Sequence, residues 1–285
     1  MNAKRLDRDA LREHPLPPVL DDDKESKGRI LVIAGSRQVP GAALLTATAA
    51  MRAGAGKLRI ATIESAAVPL GISMPEAMVV GLAEEEDGGF ADSAVRVLAK
   101  EAGEVDAVVA GPGVKANEAC RALARSLLES GAALALDVAL LKSLRSSDHQ
   151  RSVTPILLPD GDELAALLDC GEDEIERDPL GCGRRAADLY RSVVLVKGPR
   201  SHVVTPAGEV WTHEAGVPGL GVSGSGDVLA GIVGGLLARG AEPLSALLWA
   251  VWLHGEAGGA LAKKAGPLGF LAREIADEVP RLLMV

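Results

Sequence analysis

Residues 29–62 read RILVIAGSRQVPGAALLTATAAMRAGAGKLRIAT, and the reading of this stretch decides the fold. Residues 29–34 form a short apolar run that stops at Gly35, the mark of a strand buried on both faces. Residues 40–53 are rich in Ala and Leu and predict a helix. Residues 57–62 predict a second strand. Strand, helix and strand in this order make a βαβ unit, whose two strands run parallel.

The same alternation continues outward. Residues 77–80, 106–110, 132–136, 155–158 and 193–196 predict further strands. Residues 90–100, 118–128, 162–168 and 183–190 predict the helices between them. Residues 201–205 and 209–213 flank Pro206-Ala207-Gly208, which predicts a hairpin. Beyond Ser225 the chain predicts helices over 227–239, 244–263 and 269–278. The expected class is α/β, a three-layer α/β/α sandwich with a mostly parallel central sheet and an antiparallel edge hairpin. No long linker or internal repeat interrupts it, so residues 29–285 are expected to form a single catalytic domain. Residues 1–28 are polar and carry Asp21-Asp22-Asp23, which predicts an N-terminal arm or short helix with a solvated turn.

Composition excludes several classes of function. The 285 residues are 48% apolar, so a large core is available and a wholly disordered chain is excluded. Aromatic residues make up only 2%, which leaves no platform for stacking single-stranded bases. The net charge of −9 gives no general attraction to nucleic acid or to an anionic membrane. The apolar stretches 39–51, 228–238 and 244–253 are shorter than the roughly 18 residues of a membrane span. The N-terminus shows no apolar signal segment. Cys120, Cys170 and Cys182 are odd in number and lack zinc spacing, so they read as buried thiols of a cytoplasmic protein. No His, Cys or Asp cluster supports a tightly held transition metal, and oligomeric state, a homo-oligomer included, stays open.

Ligands of open α/β sheets bind beyond the carboxyl ends of the strands. Those ends carry Gly35-Ser36-Arg37, Gly111-Pro112-Gly113, Asp137, Leu158-Pro159-Asp160 and Lys197-Gly198-Pro199-Arg200. The sharpest signal lies further on, in Gly219-Leu220-Gly221-Val222-Ser223-Gly224-Ser225-Gly226-Asp227, followed at once by an apolar helix. Glycines let backbone N–H groups face an anion, and a helix start adds further donors. Asp227 in the first turn either caps the helix or accepts a proton from a hydroxyl that attacks phosphorus. Ser225 is the other candidate cap. The Walker Lys-Ser/Thr ending is absent, which sets this loop apart from a P-loop.

Across residues 28–280 the chain resembles the NAD(P)H-hydrate dehydratases of the ribokinase superfamily. The resemblance is carried in order by Gly28-Arg29-Ile30-Leu31-Val32-Ile33-Ala34-Gly35-Ser36, Val39-Pro40-Gly41-Ala42-Ala43, Arg52-Ala53-Gly54-Ala55-Gly56 and Ala110-Gly111-Pro112-Gly113. Leu136-Asp137, Val196-Lys197-Gly198 and Gly224-Ser225-Gly226-Asp227-Val228-Leu229-Ala230-Gly231 complete it. It implies a ribokinase-like fold and repair of hydrated NADH or NADPH. ADP or ATP, with Mg²⁺, phosphorylates the added hydroxyl, and loss of phosphate restores the cofactor. It implies that Asp227 is the base and touches the substrate, and that Gly224, Ser225 and Gly226 hold the transferring phosphate. Lys197, Gly198, Pro199, Arg200 and Ser201 would form the nucleotide loop, while Ala42 and Gly113 would line the hydrate pocket.

Three positions depart from the family pattern. The usual Thr-Pro-His-Pro-Gly-Glu reads Leu158-Pro159-Asp160-Gly161-Asp162-Glu163, so Asp160 stands on the substrate side in place of His. A second Asp expected after Asp137 is Ala139, and Asn-Pro-Gly reads Val217-Pro218-Gly219. Two alternatives therefore stand beside the dehydratase: a kinase of the same superfamily acting on another small alcohol, and a nucleotide-binding protein without turnover. His202, His213 and His254 read as ordinary surface or core residues, Trp249 and Trp252 as packing on one helix face, and residues 84–87 as an exposed acidic loop.

Overall fold

The structure is a computed structural model that describes residues 3–18, 27–145, 153–214 and 216–284. The Asp21-Asp22-Asp23 turn lies outside the described residues. The apolar runs become strands where predicted: β2 (Arg29–Ile33), β3 (Lys57–Ile63), β4 (Ala77–Leu82), β5 (Ala107–Ala110) and β6 (Ala133–Leu136). β7 (Ile156–Leu157), β8 (Val193–Val196), β9 (Ser201–Val204) and β10 (Val210–His213) follow, and β1 (Lys4–Arg5) precedes them. Among the described residues these ten form one sheet in the order β1-β10-β9-β8-β7-β6-β5-β2-β3-β4.

All pairings are parallel except β8 with β9 and β9 with β10. Ile30, Leu31, Val32 and Ile33 are fully buried, as strands covered by helices on both faces must be. The helices Gly41–Arg52, Ser225–Ala238, Pro243–Ala265 and Ala272–Leu282 pack together on one face. Asp92–Ala102, Glu118–Glu129, Gly161–Leu168 and Pro179–Leu189 cover the other.

The hairpin is not the outermost element. β1 lies outside it, parallel to β10, so the arm supplies the edge strand. Leu6 and Leu11 explain this: both are buried, and Leu6 N–H donates to the Thr212 carbonyl at 2.8 Å. Trp249 Nε1 donates to the His14 carbonyl at 2.8 Å, which ties the far end of the arm to the body.

Other boundaries differ for local reasons. Phe90 was expected in a helix but is extended and buried opposite Glu84, and the helix starts at Asp92. The helix Pro179–Leu189 starts four residues earlier than expected, because Asp178 caps it at Gly181 N–H and Pro179 occupies its first position. The helix Glu64–Ser73 gave no signal: Pro69 lies inside it, and Val68 and Ile72 face solvent, so it has no apolar stripe.

A core poor in aromatics closes by bringing backbones together. A Cβ on Gly231 would lie 2.2 Å from the Thr46 carbonyl oxygen, and one on Gly235 would lie 2.4 Å from that of Ala50. The helix Ser225–Ala238 therefore sits directly on the helix Gly41–Arg52, with nothing larger than the methyl groups of Ala49 and Ala53 at these points.

Candidate active site

The strand order reverses between β2 and β5, and a crevice is expected beyond their carboxyl ends. There Gly35 N–H donates to the Pro112 carbonyl at 2.8 Å. A Cβ on Gly113 would lie 2.5 Å from Cβ of Ala42 and 3.5 Å from Cα of Gly35. Ala42 and Gly113 thus form one small-residue floor. Leu45, on the same helix as Ala42, packs against the Gly224 loop. The floor and that loop are therefore neighbours.

Asp137 follows β6 and is only 1% exposed. Its placement depends on Gly111, whose φ is +127° and on which a Cβ would lie 1.8 Å from the Asp137 carbonyl oxygen. Lys197 follows β8, and its Nζ lies 3.2 Å from Oδ1 of Asp137. Burial pushes the Asp137 carboxyl up, and Lys197 opposes that shift.

Asp227 joins this pair from the helix Ser225–Ala238. Burial and the charge of Asp137 push its carboxyl up to about 6, against the pull of Lys197. It is anionic at neutral pH and close enough to its pKa to take a proton. Gly224, at φ +87°, occupies the N-cap position, and no side chain caps the helix. The two capping roles considered for Asp227 and Ser225 are therefore not realised. Asp227 stands at the third helical position, and Ser225 Oγ turns to His254 Nε2 at 3.0 Å. An uncapped first turn is an anion-binding position.

A cavity of ≈ 840 Å³ opens here, lined by Lys197, Gly198, Pro199, Ser201, Ser225 and Gly226. Val217, Leu220, Leu229 and Val251 supply apolar wall. A Cβ on Gly226 would lie 3.8 Å from Nζ of Lys197, so the loop glycine and the lysine face each other. Arg200 departs from the expected nucleotide loop. Its side chain turns outward to Glu214 at 3.3 Å and is not part of the cavity wall.

Asp160 lies exposed on the cavity rim, but its carboxylate is already engaged. It accepts from Glu163 N–H at 2.8 Å, while Glu163 Oε2 accepts from Asp160 N–H at 2.9 Å. This capping box starts the helix Gly161–Leu168. Glu163 is 4% exposed, and burial pushes its carboxyl up to about 7, opposed by the Asp160 N–H.

Sequence reasoning placed Asp137 on the ligand rim without a role, missed Glu163, and passed over His254 and His213, which both line the cavity. Asp137 had a usable signal, since it ends a strand on the ligand rim. Glu163 had the Asp-x-x-Glu spacing of a capping box. The histidines had none. His213 is 7% exposed and donates from Nδ1 to the Leu6 carbonyl at 3.3 Å, while its Nε2 has no partner among the described residues. His202 is half-buried and its Nδ1 meets Thr212 Oγ1 at 2.8 Å. The two tryptophans pack edge to face at 6.0 Å as expected. Among the described residues no three His, Cys, Asp or Glu side chains converge as metal ligands.

The chain as a whole is similar to known proteins. The family described as NAD(P)H-hydrate dehydratase matches residues 30–281. An ADP-dependent (S)-NAD(P)H-hydrate dehydratase of Xanthomonas campestris is 43% identical over 96% of this chain and 94% of its own length. A bifunctional NAD(P)H-hydrate repair enzyme Nnr of Gloeobacter violaceus is 38% identical over 96% of this chain, which spans only 53% of that protein. The crystal structure of the ADP/ATP-dependent NAD(P)H-hydrate dehydratase of Bacillus subtilis, co-crystallised with ATP/Mg²⁺, matches with a TM-score of 0.86. It is 27% identical and covers 100% of this chain and 99% of its own.

Proposed function

The chain belongs to the NAD(P)H-hydrate dehydratase family, and we propose that it returns hydrated NADH and NADPH to the active cofactors at the expense of ADP or ATP. Its fold is the ribokinase-like α/β/α sandwich. The observation that carries the reading is the placement of Asp227. A carboxyl pushed up to about 6 stands in the first turn after an uncapped glycine loop, beside Lys197 and a cavity large enough for a nucleotide.

In this reading Lys197, Gly198, Pro199 and Ser201 border the nucleotide, and Gly224, Ser225 and Gly226 receive the phosphate to be transferred. Ala42 and Gly113 floor the pocket of the hydrated nicotinamide ring. Asp227 takes the proton of the added hydroxyl as its oxygen attacks the terminal phosphorus. The bond from that phosphorus to the leaving AMP or ADP breaks. The phosphate ester then leaves as inorganic phosphate, and loss of a proton from the neighbouring ring carbon restores the double bond. Holding the groups in line and balancing charge is most of what such a transfer requires.

Mg²⁺ would supply positive charge to the phosphate oxygens. The neighbouring carboxyls of Asp137 and Asp227 offer the hard oxygen donors that an ion brought in with the phosphates and its waters would take. No described helix is long and apolar enough to cross a membrane. We place the activity in the cytoplasm, in keeping with three cysteines that form no disulfide.

The test is incubation of the protein with hydrated NADH and either ADP or ATP, following return of the dihydronicotinamide absorbance and release of phosphate. Nucleotide binding without recovery of the cofactor would exclude the dehydratase reading and leave the two alternatives, a kinase acting on another alcohol and a nucleotide-binding protein without turnover.

A further inference from the structure

Ser225 opens the helix Ser225–Ala238 on the cavity wall, and its hydroxyl is held by a residue outside the glycine loop. His254, on the helix Pro243–Ala265, places Nε2 at 3.0 Å from Ser225 Oγ and at 3.1 Å from the Ser225 carbonyl oxygen. A carbonyl oxygen can only accept. The hydrogen of this contact is therefore on Nε2, which donates to both oxygens at once. That fixes the remaining freedom of the hydroxyl. With Oγ accepting from the imidazole, the hydroxyl hydrogen cannot point at His254, and it is left to turn into the cavity that Ser225 shares with Gly226 and Lys197.

We propose that His254 is a positioning residue for phosphate recognition: by donating from Nε2 it holds Ser225 so that the Ser225 hydroxyl donates to a phosphate oxygen of the bound nucleotide. The inference rests on the nucleotide reading above and deepens it. Two further observations agree with it. No side chain caps the helix, so Ser225 is not drawn to the competing role its residue type favours. Burial, with a smaller push from Lys197 and against the Ser225 carbonyl, holds the imidazole down to about 4. The ring is neutral throughout the working range, so one of its nitrogens lacks a hydrogen and the tautomer is a real choice.

Nitrogen NMR of the folded protein, with and without ADP, reads that choice directly. The expected spectrum shows His254 protonated at Nε2 in both states, and a lone pair at Nε2 overturns the proposal. Calorimetry with ADP supplies the second arm. His254→Phe removes the donor and is expected to weaken ADP binding roughly tenfold, the size of one hydrogen bond to a charged group. His254→Gln keeps a donor at a similar reach and should restore most of the affinity. Ser225→Ala should weaken binding about as much as His254→Phe, and the double variant should be no weaker than Ser225→Ala alone. Wild-type affinity in His254→Phe, or losses that add in the double variant, overturn the proposal. If His254→Phe does not fold, the tautomer and the comparison of His254→Gln with Ser225→Ala still decide it. Failure of the wild-type protein to bind ADP would overturn the nucleotide reading itself, a separate outcome because it appears before any variant is compared.

Discussion

Nζ of Lys197 lies 3.2 Å from Oδ1 of Asp137, a carboxylate with 1% of its residue surface exposed. Removing one partner of such a pair leaves a buried charge without compensation, at a cost of about 3–5 kcal/mol. Lys197→Met should therefore unfold at a markedly lower temperature than the wild-type protein. Adding Asp137→Asn should recover much of the loss, because the stranded charge is gone. A double-mutant cycle in urea checks this, and losses that simply add would show the pair to be unimportant for stability.

Asp227→Asn keeps the shape of the side chain and removes its basicity. Turnover of the hydrate should fall by ~10²–10⁴-fold, with ADP affinity and melting temperature nearly unchanged. In the wild-type enzyme kcat/KM should rise with pH and level off above about 6, since only the carboxylate can take the proton. Normal turnover in Asp227→Asn would reduce the residue to a neighbour of the helix dipole.

Glu163 makes the opposite statement about stability. Its carboxyl is pushed from 4.5 up to about 7, so folding favours the protonated form. Its contribution is fully present below pH 4.5 and is lost as pH rises through 7. Glu163→Gln retains an acceptor for the Asp160 N–H and removes the buried charge. It should be more stable than wild type by ~2 kcal/mol at pH 8, with the difference vanishing below pH 4. Melting curves across that range measure the crossing.

Asp160 combines a cap with a charge on the cavity rim, and the two can be separated. Asp160→Asn keeps the cap and should leave stability within about 0.5 kcal/mol, whereas Asp160→Ala should cost ~1 kcal/mol. If the carboxylate repels the phosphates of a dinucleotide, Asp160→Asn should raise kcat/KM for hydrated NADPH. A fall instead would make Asp160 a working part of the pocket. Asp160→His, which restores the residue type of the family pattern, tests the same repulsion but also gives up the cap, so the asparagine variant is the cleaner comparison.

The alternation of strand and helix was legible because buried parallel strands and amphipathic helices leave periods in the sequence. β2, β3, β5, β6 and β8 all begin and end within two residues of the predicted bounds. The glycine loop and the helix that follows it were legible because a run of small residues ahead of an apolar run stands out in sequence. The short helix of the arm was legible and forms over Arg8–Glu13, but the edge strand was not, because two buried leucines in a charged segment carry no period. Lys197 was legible at its strand end, but its partner Asp137 stands sixty residues away, and only parallel pairing of the strands brings the two ends together. His254 lies on an apolar helix, where a lone histidine looks the same whether it faces Ser225 or a leucine.

The close contact of Gly231 with Thr46 and of Gly235 with Ala50 has a mechanical meaning. Two helices that touch backbone to backbone cannot slide without collision, because there are no flexible side chains between them to take up the motion. One of these helices carries Asp227 at its start, and the other carries Ala42 and Leu45. The proposed proton acceptor and the proposed floor of the ring pocket are thus set in a common frame, as two jaws cast in one piece. Adjustment to an entering nucleotide is therefore expected in the other walls of the cavity, the strand-end segment from Lys197 to Ser201 among them.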